Sequence, residues 1–290
     1  MTNLHPLTAF GLFFSVIVLT MLTMHPVLLL TSYLSAVLLC GVLRGARHLL
    51  KSLAYSIPVM LMLTLLNPIF VHRGTHILFF LNGNPVTLEA VAYGASSSLM
   101  LLSLFYWFQC FGIVITEEKL TYLFGRVSPR LALVLSMSLS LLPGLRRKFL
   151  EIDDAQRALG VYGKGGYVDR LRAKLSSLSI LLTWALESSV ERARSMRARG
   201  YGLPGRTAYS LYRRTRRDVV SGVLLLLLFC VTLSLLLSGW ATFSYYPTLC
   251  PITWSFHFWG AYAPLCILCA FPLLLEGGER LKWRYWTSKI

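Results

Sequence analysis

Charge is scarce in this sequence: only 14% of its 290 residues are Asp, Glu, Lys or Arg, against roughly a quarter in soluble domains. That excludes an ordinary water-soluble fold. Acidic residues are missing altogether from the apolar runs at 9–24, 27–42, 52–71, 92–115, 219–239 and 256–275. A proton- or sodium-coupled carrier, or an intramembrane enzyme, relies on an ionisable group inside the bilayer, so both readings lose ground. No H-E-x-x-H occurs, and the chain shows no internal repeat of spans. Cysteine is sparse too. Cys40, Cys110, Cys230, Cys266 and Cys269 lie in apolar runs, where cysteine behaves as a small hydrophobe. Cys266 and Cys269 have redox-motif spacing but sit mid-span without a thioredoxin-like context. Cys250 falls alone in an outer loop, so no disulfide framework is expected. The first residues lack a basic stretch and a small-residue cleavage site, and the run from Ala9 is expected to be a retained span.

What is abundant is apolar: 56% of the chain is hydrophobic. Runs of about twenty apolar residues span a bilayer as helices. The expected fold is an all-α polytopic membrane protein with about six transmembrane helices and two long cytosolic amphipathic helices. The first two runs are short enough that a steep, shallow hairpin also fits, broken at His25-Pro26. Pro58 and Pro68 in the third run need accommodation by neighbours. Arg44, Arg47, His48 and Lys51 read as a basic loop. Residues 72–92 read as a polar, turn-rich loop in which Ile77 to Leu81 dips to the membrane interface. His72 and His76 have metal-ligand spacing only if helical, and Arg73-Gly74 between them argues against a helix. Segments 43–51, 116–217 and 276–290 hold 27 of the 28 Lys and Arg residues. Basic residues flank spans on the cytoplasmic side, so both termini are expected inside. The net charge of +16 follows from that topology and needs no nucleic-acid partner.

The expected division is 1–115 for N-terminal spans, 116–217 for a cytosolic insert and 218–290 for C-terminal spans with a basic tail. Residues 130–142 of the insert are apolar but too short to cross, and Pro143-Gly144 is expected to break them off. A helix over 145–159 then carries Asp153, Asp154 and Arg157 on a solvated face. Gly160 ends it, and Gly163, Gly165 and Gly166 form a link. A second helix, about 174–200, stacks Leu175, Leu178, Leu182, Leu186, Val190, Ala193 and Met196 on one side. Arg192, Arg194, Arg197 and Arg199 crowd its last turns, where the helix dipole favours cations. Four arginines so close repel one another unless an acidic surface receives them, and guanidinium forks fit carboxylates. Gly200 to Thr207 mimics a phosphate-binding loop. A helix precedes it, however, Arg206 stands where the lysine should, and Pro204 stiffens it, so it reads as a helix stop. Arg213, Arg214, Arg216 and Arg217 read as an anchor at anionic lipid headgroups. No catalytic, metal or cofactor residue is assigned.

On these residues the chain resembles the transmembrane T component of energy-coupling factor transporters. The resemblance runs from Pro6 and His25-Pro26 through the insert to Ser195-Met-Arg-Ala-Arg-Gly-Tyr201. It implies a non-catalytic subunit of an ATP-driven importer of vitamins or metal ions, in the bacterial plasma membrane. It also implies two coupling helices, each ending in an Ala-Arg-Gly-type motif that docks into an ABC-type ATPase subunit. Carried onto this sequence, the docking residues are Arg197, Ala198, Arg199 and Gly200, with Arg157, Ala158 and Gly160 at the first motif. Leu159 stands where that motif has arginine, so the first ATPase is gripped by other contacts or coupled more weakly. Leu178, Leu182 and Val190 are implied to touch a small substrate-binding membrane subunit. The expected partners are therefore two ATPases, that subunit and membrane lipids. The competing readings are a lipid-modifying enzyme whose basic insert grips headgroups, and a freestanding secondary carrier.

Overall fold

A computed structural model describes residues 4–81, 84–161, 166–204, 212, 215–239, 243–250 and 256–287. Gly163, Gly165, Arg206, Thr207, Arg213 and Arg214, all invoked above, lie outside the described residues. The chain is an all-α polytopic membrane protein. It divides into two compact units: 1–116 together with 212–290, and 117–211.

The first unit holds helices α1 (Pro6–Leu22), α2 (Pro26–Arg44), α3 (Ala46–Phe70) and α4 (Leu88–Val114), then α8 (Arg216–Leu237) and α9 (Phe256–Thr287). Among the described residues, α2, α4, α8 and the stretch Arg47–Phe70 of α3 are long and apolar enough to cross a bilayer. The stretches Pro6–Leu22 and Tyr262–Gly278 are apolar but shorter.

The core forms where α1, α2 and α4 meet. Phe13, Leu28, Leu29, Tyr106 and Trp107 are buried there, and the Phe13 and Trp107 rings meet edge-on at 6.1 Å. Ser32 gathers three partners: its Oγ lies 3.0 Å from the hydroxyls of Thr20 and Ser103, and it accepts from Trp107 Nε1 at 3.0 Å. Between apolar helices, where lipid is no worse a neighbour than leucine, small residues and such hydroxyl bonds supply much of the specificity. α3 and α4 pack by the same means. Thr64 and Ser98 hydroxyls lie 3.1 Å apart, and Asn67 Nδ2 donates to the Ala90 carbonyl at 2.8 Å.

Several expectations are corrected. The basic loop at 43–51 does not exist as a loop: α2 ends at Arg44 and α3 begins at Ala46, with Gly45 at φ 90° making the turn alone. The left-handed conformation explains the glycine. Arg47, His48 and Lys51 therefore ride on the first turns of α3, where long basic side chains can reach the headgroups. The basic tail is no loose tail either, since α9 runs on to Thr287. Residues 72–92 contain an antiparallel hairpin, β1 (Ile77–Leu81) with β2 (Asn84–Thr87), rather than a plain loop.

α4 starts earlier than expected, which places an acidic residue inside a spanning helix. Glu89, 0% exposed, accepts from Thr75 N at 3.2 Å, Thr75 Oγ at 3.0 Å and His76 N at 3.1 Å. Thr87 caps the same helix from Ala90 N and donates to the Arg73 carbonyl at 2.8 Å. Gly74, at φ 144°, is packed so closely that a Cβ there would stand 2.5 Å from Glu89 Oε2. Glu89 is a structural clasp, joining the approach to the hairpin to the first turn of α4. Glu89→Ala would leave the Thr75 and His76 amides without their carboxylate partner. Hydrogen exchange at Thr75 and His76 should then rise by roughly tenfold or more, while exchange in the α1–α2–α4 core stays unchanged.

At the α1–α2 turn the His25 ring sits 5.2 Å from Phe243 and 4.8 Å from Tyr262, edge-on to both. Tyr245 closes the cluster by donating to the Met24 carbonyl at 2.7 Å. Burial pushes the imidazole down to about 4 from its ordinary 6.5. The folded form thus holds its proton less tightly than the unfolded chain. Stability from this site is complete above about pH 6.5 and is lost as pH falls towards about 4. The loss is at most on the order of 3 kcal/mol. Thermal unfolding in detergent at pH 7 and pH 4.5 measures it, and His25→Phe should flatten the dependence in that window.

The second unit is α5 (Glu117–Val127), α6 (Pro129–Ala158) and α7 (Tyr167–Ala198). Pro143 does not break the chain as expected; it lies inside the continuous α6. A proline removes one ladder bond and bends a helix, but Leu141-Leu142 before the Pro-Gly step and Leu145 to Lys148 after it are good helix formers, and propagation carries through. Asp153 is not on a solvated face either. It is buried, like Gln156 on α6 and Ala173 and Ser177 on α7. Gln156 Nε2 donates to Ser176 Oγ at 3.4 Å, and Lys148 Nζ lies 5.9 Å from the Trp184 ring. Residue numbers rise along α6 as they fall along α7 between these contacts, so the two helices cross antiparallel.

Candidate functional site

The two long helices end in one and the same way. At α6, Val161 N donates to the Gln156 carbonyl at 3.2 Å and Gly160 N to Arg157 at 3.0 Å. At α7, Tyr201 N donates to Met196 and Gly200 N to Arg197, both at 3.0 Å. Each pair is a Schellman motif, in which two amides past the end satisfy carbonyls of the last turn. It needs a left-handed residue, and Gly160 and Gly200 supply it with φ of 72° and 83°. The backbone therefore superposes the two sequences: Arg157-Ala158-Leu159-Gly160 upon Arg197-Ala198-Arg199-Gly200. Leu159 and Arg199 are structural equivalents at the helix cap, and both are exposed.

The side chains then diverge. Arg157 Nη2 lies 2.7 Å from Asp153 Oδ2, one turn back. That (i, i+4) partner was available in the sequence, and the buried carboxylate fixes the guanidinium along α6. Arg197 has Ala193 at the corresponding position and so lacks this latch. Arg192, Arg194, Arg197 and Arg199 are all exposed. Among the described residues no carboxylate forms an ion pair with any of the four. Beside them, Met196, Arg199, Tyr201, Leu203 and Pro204 line a hollow of about 420 Å³. The arrangement offers a greasy recess rimmed by guanidinium, suited to an acidic, partly apolar surface.

The two ends are not brought together. α6 ends just past its crossing with α7, at Gln156 and Ser176, whereas α7 continues for 22 residues to Ala198. At 1.5 Å per residue that places Arg199 about 35 Å beyond the crossing. Between them Leu178, Leu182 and Val190 are 45%, 58% and 52% exposed, with Leu175 and Leu186 also open. Such an apolar face is costly in water and marks a contact surface. Among the described residues no group of three metal-ligating side chains occurs, and His72 and His76 lie in irregular chain.

No family model matches the chain. It is similar to the protein named energy-coupling factor transporter transmembrane protein EcfT of Lacticaseibacillus paracasei, 38% identical over 33% of this chain and 40% of that one. The protein of the same name from Lactobacillus helveticus is 34% identical over 31% of this chain and 34% of its own. That of Exiguobacterium sibiricum is 41% identical over 37% and 40%. The match spans about two fifths or less of each relative's length. Over about a third of its length the chain is thus EcfT-like, similar to transmembrane proteins of energy-coupling factor transporters.

Proposed function

We propose that this protein is the coupling subunit of an ATP-driven importer of vitamins or metal ions in a bacterial plasma membrane, with both termini cytoplasmic. The observation that carries this reading is the pair of exposed, matching helix ends, set on opposite sides of the Gln156–Ser176 contact. One site would serve one partner; two separated copies suit two ATPase subunits. Arg199, with Arg197, Ala198 and Gly200, grips one of them. Ala158, Gly160 and the latched Arg157 present a weaker, less polar end to the other. Leu178, Leu182 and Val190 receive a substrate-binding membrane subunit. ATP-driven approach of the ATPases shifts α6 against α7, and the apolar face passes that shift to the substrate subunit. Catalysis belongs to the partners.

Co-expression with a candidate pair of ABC-type ATPases and a substrate-binding subunit tests this. The four chains should co-purify, and ATP-dependent uptake into proteoliposomes should require all of them. Uptake by the purified chain alone, or chemical turnover of lipid by it, would overturn the reading.

A further inference from the structure

α3 and α4 leave between them a groove of about 580 Å³ with the end of α2 at its mouth. On α3 its lining steps through His48, Ser52, Tyr55, Val59 and Leu63, which is one face of a helix. Polarity falls in that order, from basic through hydroxyl to hydrocarbon. α4 matches it in the opposite sense, with Gln109 near the mouth and Phe105, Leu102 and Leu101 further in. That alignment is held by Ser52 Oγ donating to Tyr106 at 3.1 Å. Arg44 and Lys51 join His48 at the mouth, brought across the turn at Gly45. Arg44 Nη1 donates to His48 Nε2 at 2.8 Å. No carboxylate lines the groove among the described residues. Two cations are thus held together without a counter-charge.

We propose that this groove binds one anionic phospholipid. Its phosphate is held by Arg44, His48 and Lys51, and an acyl chain lies over Val59, Leu63 and Phe105. Charge complementarity settles the headgroup. The length of the groove settles the rest: His48 to Leu63 spans about 22 Å along the helix, against roughly 15 Å for the hydrocarbon of one leaflet. A soluble anion would use the mouth and leave the apolar walls empty.

The full chain in neutral detergent, titrated separately with dioleoylphosphatidylglycerol, dioleoylphosphatidylcholine and inorganic phosphate, provides the test by native mass spectrometry and thermal unfolding. The anionic lipid should bind about tenfold or more tighter than the zwitterionic one. Arg44→Gln with Lys51→Gln, both at exposed positions, should erase that preference, and Arg44→Lys with Lys51→Arg should keep it. Val59→Trp should fill the apolar half and weaken both lipids while leaving the charges in place. Equal binding of the two lipids by the native chain overturns the proposal whatever the variants do. So does a preference that survives the double Gln variant, or displacement of the anionic lipid by inorganic phosphate.

Discussion

Arg199→Glu is expected to lower recovery of the ATPase subunits with the purified chain by about two orders of magnitude. Losing one partner of a desolvated charge pair costs roughly 2–5 kcal/mol, and reversal adds repulsion against the same acidic surface. The chain itself should insert and fold as before. Arg199 is exposed at a helix cap, and the backbone bonds of that end use Gly200 and Tyr201 amides rather than its side chain. Leu159→Glu, at the equivalent position of α6, provides the comparison. Leu159 is 80% exposed and carries no charge to reverse, so its effect should be smaller. Leu159→Arg should strengthen recovery, because it restores a guanidinium to the same backbone position. Quantifying co-purified ATPase for the three variants checks the set. Wild-type recovery with Arg199→Glu would remove that residue from docking.

Leu182→Glu should fail in the opposite way. Leu182 lies at the middle of the exposed α7 face, between Leu178 and Val190. A carboxylate there would have to be desolvated against an apolar partner, and central interface positions commonly cost 2 kcal/mol or more. We expect loss of the substrate-binding subunit by about thirtyfold or more, with ATPase recovery within about twofold of wild type. Helicity should not change, since the position is open to solvent and glutamate is a good helix former. Pull-down through the ATPases, followed by measurement of bound substrate subunit, separates the two contacts. Loss of both partners together would mean that α7 had unfolded or that the two surfaces are one.

Much of this architecture was legible because twenty-residue apolar runs leave few alternatives, and the Arg-Ala-Arg-Gly end of α7 declares itself by composition. Other features were hidden for physical reasons. Ile77 to Leu81 is a continuous apolar run without alternation, so periodicity could not distinguish a strand from a dipping loop. The place of Glu89 at the start of α4 is hidden because two of its donors are backbone amides, at Thr75 and His76, which every sequence possesses. Pro143 signals a break locally, yet the helix on either side outweighs it. The equivalence of Leu159 and Arg199 could be suspected from Gly160 and Gly200, but only the paired capping bonds make it a structural fact. Asp153 and Arg157 stood at (i, i+4) in plain view. Nothing in the sequence said that the aspartate would be buried.

The offset crossing of α6 and α7 makes the longer arm of α7 a lever. Its fulcrum is the Gln156–Ser176 contact, and its tip is Arg199. Each 10° of tilt about that point would carry the tip through about 6 Å, while Leu178, two residues from the fulcrum, would move by less than about 1 Å. Under the proposed coupling, large excursions at the arginine end would become short displacements of the leucines nearest the pivot, a mechanical reduction set by where two helices touch.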